Sequence, residues 1–492
     1  MSDSESAQDL TSESPRRLDE KARRDPDDFT VNQARIYLSL ILLVGLVLRL
    51  ALWLNFDQKP PQIWDERDYD TLAMTLAEYG EFAFEPGYPI SLRPPLYPAL
   101  VAGVYEVAGM QNYQAVRLVQ IPLSLLIVSL AYVLGAQIES RRVGVWAAGF
   151  CSVYPSLVAY HNLLLTEILF TALLMAFIVS LIRAQQRDSI ARLVPAGVLL
   201  GLGALARSVL WPTPVIFGVY LLLAWRGHLG RRLLAGVVLA AATWGTIAPW
   251  AIRNTKLQET FTTVDVMSGR NLMMGNYEHT PMYRAWDAIS VEGERSWIYV
   301  LSQRYPDEMG GLTQGQIDKL ALKAAVAFVR ENPVLTLKRD IVKFFHFWGL
   351  ERELVAGAAS GYFGEISTPG LLALTALIFG SYVAAMIAGI FGAVVRPPSD
   401  WRGHVLLLLV ISYLCAMHTL SFGHSRYHLP LIPLILVYAG NAVVYAREIW
   451  SRRRTWAFGV ALALIALFVA GWAWEVLIVD LQRFTAMIRP NA

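Results

Sequence analysis

Two short runs hold the side chains best suited to chemistry. One is Trp64-Asp65-Glu66-Arg67-Asp68-Tyr69, and the other is Leu92-Arg93-Pro94-Pro95-Leu96-Tyr97-Pro98. A carboxylate at a helix N-terminus is kept ionised by the helix dipole and by free backbone N–H groups. Such a carboxylate can accept a proton from a hydroxyl as that hydroxyl attacks. Asp65 is the expected N-cap of a helix over about 66–79, with Glu66 in its first turn. Arg93 stands before a Pro-Pro pair, so its backbone is extended and pinned. Its planar fork of donors suits a phosphate. Each residue also has a plainer role: capping for Asp65 and Glu66, and pairing with lipid head groups for Arg93.

Further polar groups recur beyond these runs. Ser425-Arg426-Tyr427-His428 opens a late apolar stretch, and His424 and His428 are placed to share a helix face. No HExxH motif accompanies them, so hydrogen-bonded histidines are the simpler reading, and a divalent cation is left open. His161 and Glu167 flank another turn, and an ionisable group just inside a membrane span is a functional candidate by default. Arg207, Arg253-Asn254, Asn271 and Gly275-Asn276 complete the set. There is no Gly-rich phosphate loop, nucleophile elbow or dinucleotide fingerprint, so no nucleotide cofactor is expected.

The elements that must position these groups are apolar. The chain has 492 residues, 55% of them hydrophobic, and a mean hydropathy of +0.42. Runs near 20 residues with few charges match a bilayer core. The expected class is an all-α polytopic membrane protein with about eleven spans, or twelve. They are placed at 34–56, 115–138, 143–160, 163–182, 191–207, 209–225, 233–250, 370–395, 403–421, 426–446 and 455–480. Cys151 and Cys415 both fall inside spans, so no disulfide framework is available. Residues 1–33 read as a disordered cytoplasmic tail, and 481–492 as a short outer tail.

Arginines set the orientation. Arg141-Arg142, Arg183, Arg187, Arg231-Arg232, Arg396 and Arg452-Arg453-Arg454 lie on alternate loops. The positive-inside rule then puts the N-terminus in the cytoplasm and loops 57–114 and 251–369 outside. Leu96–Val107 reads as a short half-buried helix. In the second loop, Ile317, Leu320, Ala324 and Phe328 recur at helical spacing. Asn332-Pro333 breaks that helix, and a second one carries Lys338, Lys343 and Phe344.

Taken in order, these motifs resemble the GT-C membrane glycosyltransferases. The likeness is to their protein O-mannosyltransferase and aminoarabinose transferase branch, of the glycosyltransferase family 39 type. The resemblance covers most of residues 34–446. It rests on Asp65-Glu66-Arg67-Asp68-Tyr69 and Arg93-Pro94-Pro95-Leu96-Tyr97-Pro98. Thr166-Glu167, Pro249-Trp250-Ala251-Ile252-Arg253-Asn254, Gly275-Asn276, Glu331-Asn332-Pro333 and Arg426-Tyr427 support it.

The resemblance implies a GT-C bundle that uses a polyprenyl-phosphate-linked sugar on the non-cytoplasmic face. Asp65 would be the catalytic base with Glu66 beside it. Arg93, in a position that is often Lys in the aminoarabinose branch, would bind donor phosphate with Arg426 and Arg253. Tyr69, Tyr97, His161, Glu167, Asn276, Tyr427 and His428 would line the cavity. One base and one displacement would invert the anomeric carbon of a hexose or pentose.

The acceptor would be a hydroxyl on a lipid, glycan or protein, in a multi-pass protein of the cell membrane that uses no nucleic acid. The competing class is a transporter or lipid flippase. It would place ionisable groups near the midplane on broken helices, often with repeats, and neither is evident here.

Overall fold

The computed structural model describes residues 28–56, 59–479 and 481. Most of the expected cytoplasmic tail, 1–27, and the terminal stretch 482–492 lie outside these. Among the described residues there is no strand, only one antiparallel bridge between Ala83 and Pro89.

The first half of the chain folds as α1 (Val31–Leu54), α2 (Trp64–Tyr79), α3 (Leu96–Ala108), α4 (Tyr113–Ile138), α5 (Arg141–Val153), α6 (Pro155–Ala159), α7 (Glu167–Gln186), α8 (Leu193–Ala206), α9 (Thr213–Ala224) and α10 (Leu229–Gln258). Between α10 and the next long span lie α11 (Ser268–Gly275), α12 (Trp297–Arg304), α13 (Gln314–Glu331), α14 (Pro333–Phe347) and α15 (Arg352–Ala359). The chain closes with α16 (Thr368–Val394), α17 (Trp401–Ser421), a 3-10 turn (Ser425–Leu431), α18 (Ile432–Val444), α19 (Ala446–Ser451) and α20 (Trp456–Trp474).

Among the described residues, eight helices are long and apolar enough to cross a membrane, and a ninth counts if α5 and the stretch Pro155–Asn162 form one span. That pair bends by 60° because Pro155 holds Tyr154 in an extended conformation. The other two expected spans are the shorter apolar helices Ile190–Ala206 and Ser208–Ala224.

Glu167–Gln186 and Ser425–Val444 are 78% and 83% buried and form the centre of the bundle, whereas Val31–Leu54 is 11% buried. Peripheral spans can leave apolar faces outward because lipid is as apolar as they are, so close helix contact depends on small residues. A Cβ at Gly392 on α16 would stand 2.0 Å from the Tyr438 carbonyl oxygen on α18. Only glycine allows those two backbones to approach so closely. One charge does lie inside the first span. Arg49 is fully buried and spends its donors on Ser124 Oγ and on the carbonyls of Gly45 and Ser152. It is therefore satisfied without a carboxylate.

The helices of the loops 57–114 and 251–369 are short and amphipathic. α2 ends at Gly80, whose φ of 69° closes a left-handed cap. α13 starts from a Thr313 capping box and ends at Asn332, before Pro333.

The arginine bias predicts which loops face outward, and cysteine labelling in intact cells checks it. Gly87 and Gly311 have φ of 84° and 75°, so cysteines there would be strained. Exposed Glu85 and Glu292 are better sites. A cysteine at either should react with an impermeant thiol reagent, and one at Gly230 should react only after the membrane is opened. The reverse pattern would invert the protein.

Candidate active site

The fold gathers three carboxylates and three guanidiniums from five separate elements. Asp65 lies in the first turn of α2 and Asp68 three residues on. Arg93 precedes α3, and Glu167 opens α7. Arg207 occupies the break after α8, and Arg426 lies on the 3-10 turn before α18. Each Asp65 oxygen has its own guanidinium. Arg93 Nη2 donates to Oδ1 at 2.9 Å and Arg426 Nη1 donates to Oδ2 at 2.9 Å. Arg93 also donates from Nε and Nη2 to Asp68 Oδ2, at 3.0 and 2.6 Å. Arg426 Nε donates to Glu167 Oε1, and Arg207 Nη1 reaches the same oxygen at 3.4 Å.

Burial alone would raise the pKa of Asp65, but the charges of Arg426 and Arg93 outweigh it and hold the carboxyl at about 2. The guanidiniums are further set by aromatic faces. Arg93 lies over Tyr69, whose ring meets Tyr97 edge-on at 5.3 Å. Arg207 lies over Phe170 and Tyr427.

Local sequence explains how Arg426 is presented. Gly423 has a φ of 63°, and a Cβ there would stand 2.2 Å from the Lys343 carbonyl oxygen. Only glycine can end α17 against α14 in this way.

Asp65 is not the helix cap expected from the sequence. α2 begins two residues earlier than expected, at Trp64 with Ile63 as N-cap, and Glu66 does the capping. Glu66 Oε2 accepts from the N–H groups of Gln62 and Ile63 at 3.1 Å and from Tyr362 Oη at 2.5 Å. Its Oε1 accepts from Leu164 N–H at 2.8 Å. Glu66 is fully buried, and both its oxygens are committed. It ties α2 to the turn before α7 and to Tyr362 in the loop 251–369, and it does not touch the Asp65 cluster. Arg253 also lies apart from the cluster. It donates to Ile90 O, Ser91 Oγ and Asn254 Oδ1, and it packs on Trp250. It pins the loop 57–114 to α10 by donating to the Ile90 carbonyl and the Ser91 hydroxyl.

A profile of the dolichyl-phosphate-mannose-protein mannosyltransferases matches residues 92–251, roughly a third of the chain. No curated protein sequence matches. Among solved structures, the archaeal oligosaccharyltransferase AglB from Archaeoglobus fulgidus, in complex with an inhibitory peptide and a dolichol-phosphate, superposes with a TM-score of 0.52 at 15% identity. The match covers 90% of this chain and 55% of that one. The apo form of the Archaeoglobus fulgidus enzyme gives 0.51 at 14% identity, with the same coverage. The chain has the GT-C fold. ArnT from Cupriavidus metallidurans is looser, with a TM-score of 0.37 at 15% identity over 84% of this chain and 78% of that one. The chain spans about 55% of the oligosaccharyltransferase's length. The resemblance drawn from the Asp65 and Arg93 motifs is borne out.

Within this GT-C bundle the other expected cavity residues separate. Tyr427 stacks on His418 at 4.4 Å beside Arg207 and belongs to the cluster. Tyr97 Oη is buried and 3.4 Å from Gln120. His161 is buried, with Nδ1 on the Val158 carbonyl. Asn276 donates to the carbonyls of Leu272 and Leu420 and accepts from Lys343 Nζ at 3.1 Å.

His424 and His428 diverge. His424 Nε2 faces Glu353 at 3.2 Å, and His428 Nε2 faces Glu351 at 3.6 Å. The His428 ring is stacked between Tyr382 and Trp348. Among the described residues no three His, Cys, Asp or Glu side chains form a set able to hold a metal. A cavity of about 10 Å³, the size of one water, lies behind Arg426. Ser156, Tyr160, Glu351, Glu353, Ser425 and His428 line it. The pairing of Glu351 and Glu353 with the histidines leaves no local sequence signal, because 75 or so residues separate the partners.

Two stability predictions follow from the carboxylates. In Glu66→Gln an amide N–H would replace an acceptor and leave buried donors unmatched, at about 1–3 kcal/mol. Thermal unfolding in detergent should drop by several degrees, and an unchanged midpoint would contradict the strut. For Asp65 the folded pKa is depressed, from 3.8 to about 2. Its contribution is therefore present above about pH 4 and is lost as pH falls towards 2. Asp65→Asn should flatten the acid dependence of unfolding in that window and not above it.

Proposed function

We propose that the cluster transfers a sugar from a polyprenyl-phosphate-linked donor to an acceptor hydroxyl, with inversion, on the outer face of the membrane. One observation carries this reading: the Asp65 carboxylate has one oxygen on Arg93 and the other on Arg426. The mannosyltransferase profile and the dolichol-phosphate held by the oligosaccharyltransferase support a lipid-phosphate donor.

At rest the three guanidiniums are balanced by three carboxylates. A phosphate entering the cluster competes for the same donors, and a planar fork accommodates either anion. As Arg93 and Arg426 turn to the phosphate, Asp65 loses the charges that hold it at about 2, and it becomes a better base. The acceptor hydroxyl then gives its proton to Asp65 as its oxygen bonds to the anomeric carbon. The bond from that carbon to the phosphate oxygen breaks, and the electron pair leaves with the lipid phosphate. The guanidiniums offset the charge that develops on this leaving group. A single displacement inverts the centre. Glu167 holds Arg426 and Arg207 in place during the step, and the prenyl chain lies along the apolar helices.

Purified chain, assayed with a polyprenyl-phosphate sugar and scored by release of polyprenyl phosphate, tests this. Asp65→Asn should lower kcat at least about 100-fold, the scale of a lost general base. Arg93→Ala and Arg426→Ala should raise the donor KM, and Arg→Lys should recover only part of it. Normal turnover in Asp65→Asn would remove it from the catalytic role.

A further inference from the structure

Arg426 owes its position to a pair outside the cluster. His424 is the N-cap of the 3-10 turn, and its Nδ1 accepts the Arg426 backbone N–H at 3.1 Å. That nitrogen therefore carries no proton. Nε2 carries it and points at Glu353 Oε1, 3.2 Å away. Trp286 meets the imidazole edge-on at 4.6 Å, and Tyr427 packs on it at 5.7 Å. Glu353 comes from α15, so this ring ties α15 to the Arg426 turn. An imidazole is an uncommon cap. Its second nitrogen lets a distant carboxylate select the tautomer, which a Ser or Asn cap cannot do.

We propose that His424 and Glu353 are positioning residues for the donor phosphate. Glu353 fixes the His424 tautomer, the ring fixes the Arg426 backbone, and the guanidinium is thereby aimed between Asp65 and Glu167. This rests on the reading of Arg426 as a phosphate-binding group. Neither residue touches the substrate, and their effect passes through Arg426.

Two measurements on the full-length chain in detergent test it. One is binding of undecaprenyl phosphate as a probe, and the other is amide hydrogen exchange over 425–431 without any ligand. His424→Ala should weaken probe binding about three- to tenfold and speed exchange of the turn. His424→Asn, which keeps a cap oxygen, should restore both to within about twofold of wild type. Glu353→Leu should mimic part of the His424→Ala loss, while Glu353→Gln, which keeps an acceptor oxygen, should not. Glu353→Leu should add nothing in the His424→Asn background. His424→Ala should add nothing to Arg426→Ala.

Unchanged exchange and binding in His424→Ala would overturn the proposal, as would failure of Asn to rescue a folded variant. Additive losses in the double variant would place His424 on a different path and also overturn it. If wild type did not bind the probe, the phosphate reading and the donor role assigned here would fall together. Loosened exchange in His424→Ala would still identify the pair as what holds the Arg426 turn.

Discussion

Asp65 lies between two guanidiniums that reach it from opposite ends of the chain, and the surrounding loops and helix ends are arranged around that contact. Arg93 arrives from before α3 and Arg426 from before α18. Charges this well shielded from water must be paired or they are costly, so each guanidinium recruits a second acid, Asp68 for Arg93 and Glu167 for Arg426. The result is a neutral, closed set of ion pairs. In the proposed reaction an entering phosphate displaces one of the acids already there, which would link donor binding to the basicity of Asp65.

A set of pairs from distant segments needs a rigid frame. Glu66 supplies part of it by spending both oxygens on the backbone before α2, the turn before α7 and Tyr362. The two neighbouring acids of α2 thus divide the work. One is part-buried and paired with cations, and the other is fully buried and saturated by neutral donors. The most buried spans, Glu167–Gln186 and Ser425–Val444, each begin with a residue of the cluster or its turn. The cluster therefore sits at the heads of the most buried spans.

Much of this was legible in the sequence. The helix after Trp64, the half-buried helix at Leu96, the break at Asn332-Pro333 and most of the spans follow from apolar periodicity and capping signals, which are local. The motifs at Asp65, Arg93 and Arg426 pointed to residues that do meet. The assignment of roles within them was less legible. Sequence puts Asp65 at the cap because capping acids are common. In the structure Glu66 reaches back over the N-terminus, and Asp65 turns towards two cations that only the tertiary fold delivers. Arg253 has the composition of a phosphate ligand but is spent on loop carbonyls. Glu353 carries no local signal, since its partner is far along the chain.

The central claim is that a lipid phosphate takes the guanidiniums now held by Asp65. The most direct test is an experimental structure of the purified chain with bound polyprenyl phosphate. The account predicts phosphate density within hydrogen-bond distance of Arg93 and Arg426, with at least one of the Asp65 contacts opened. Phosphate bound elsewhere, with both Asp65 pairs intact at 2.9 Å, would contradict it.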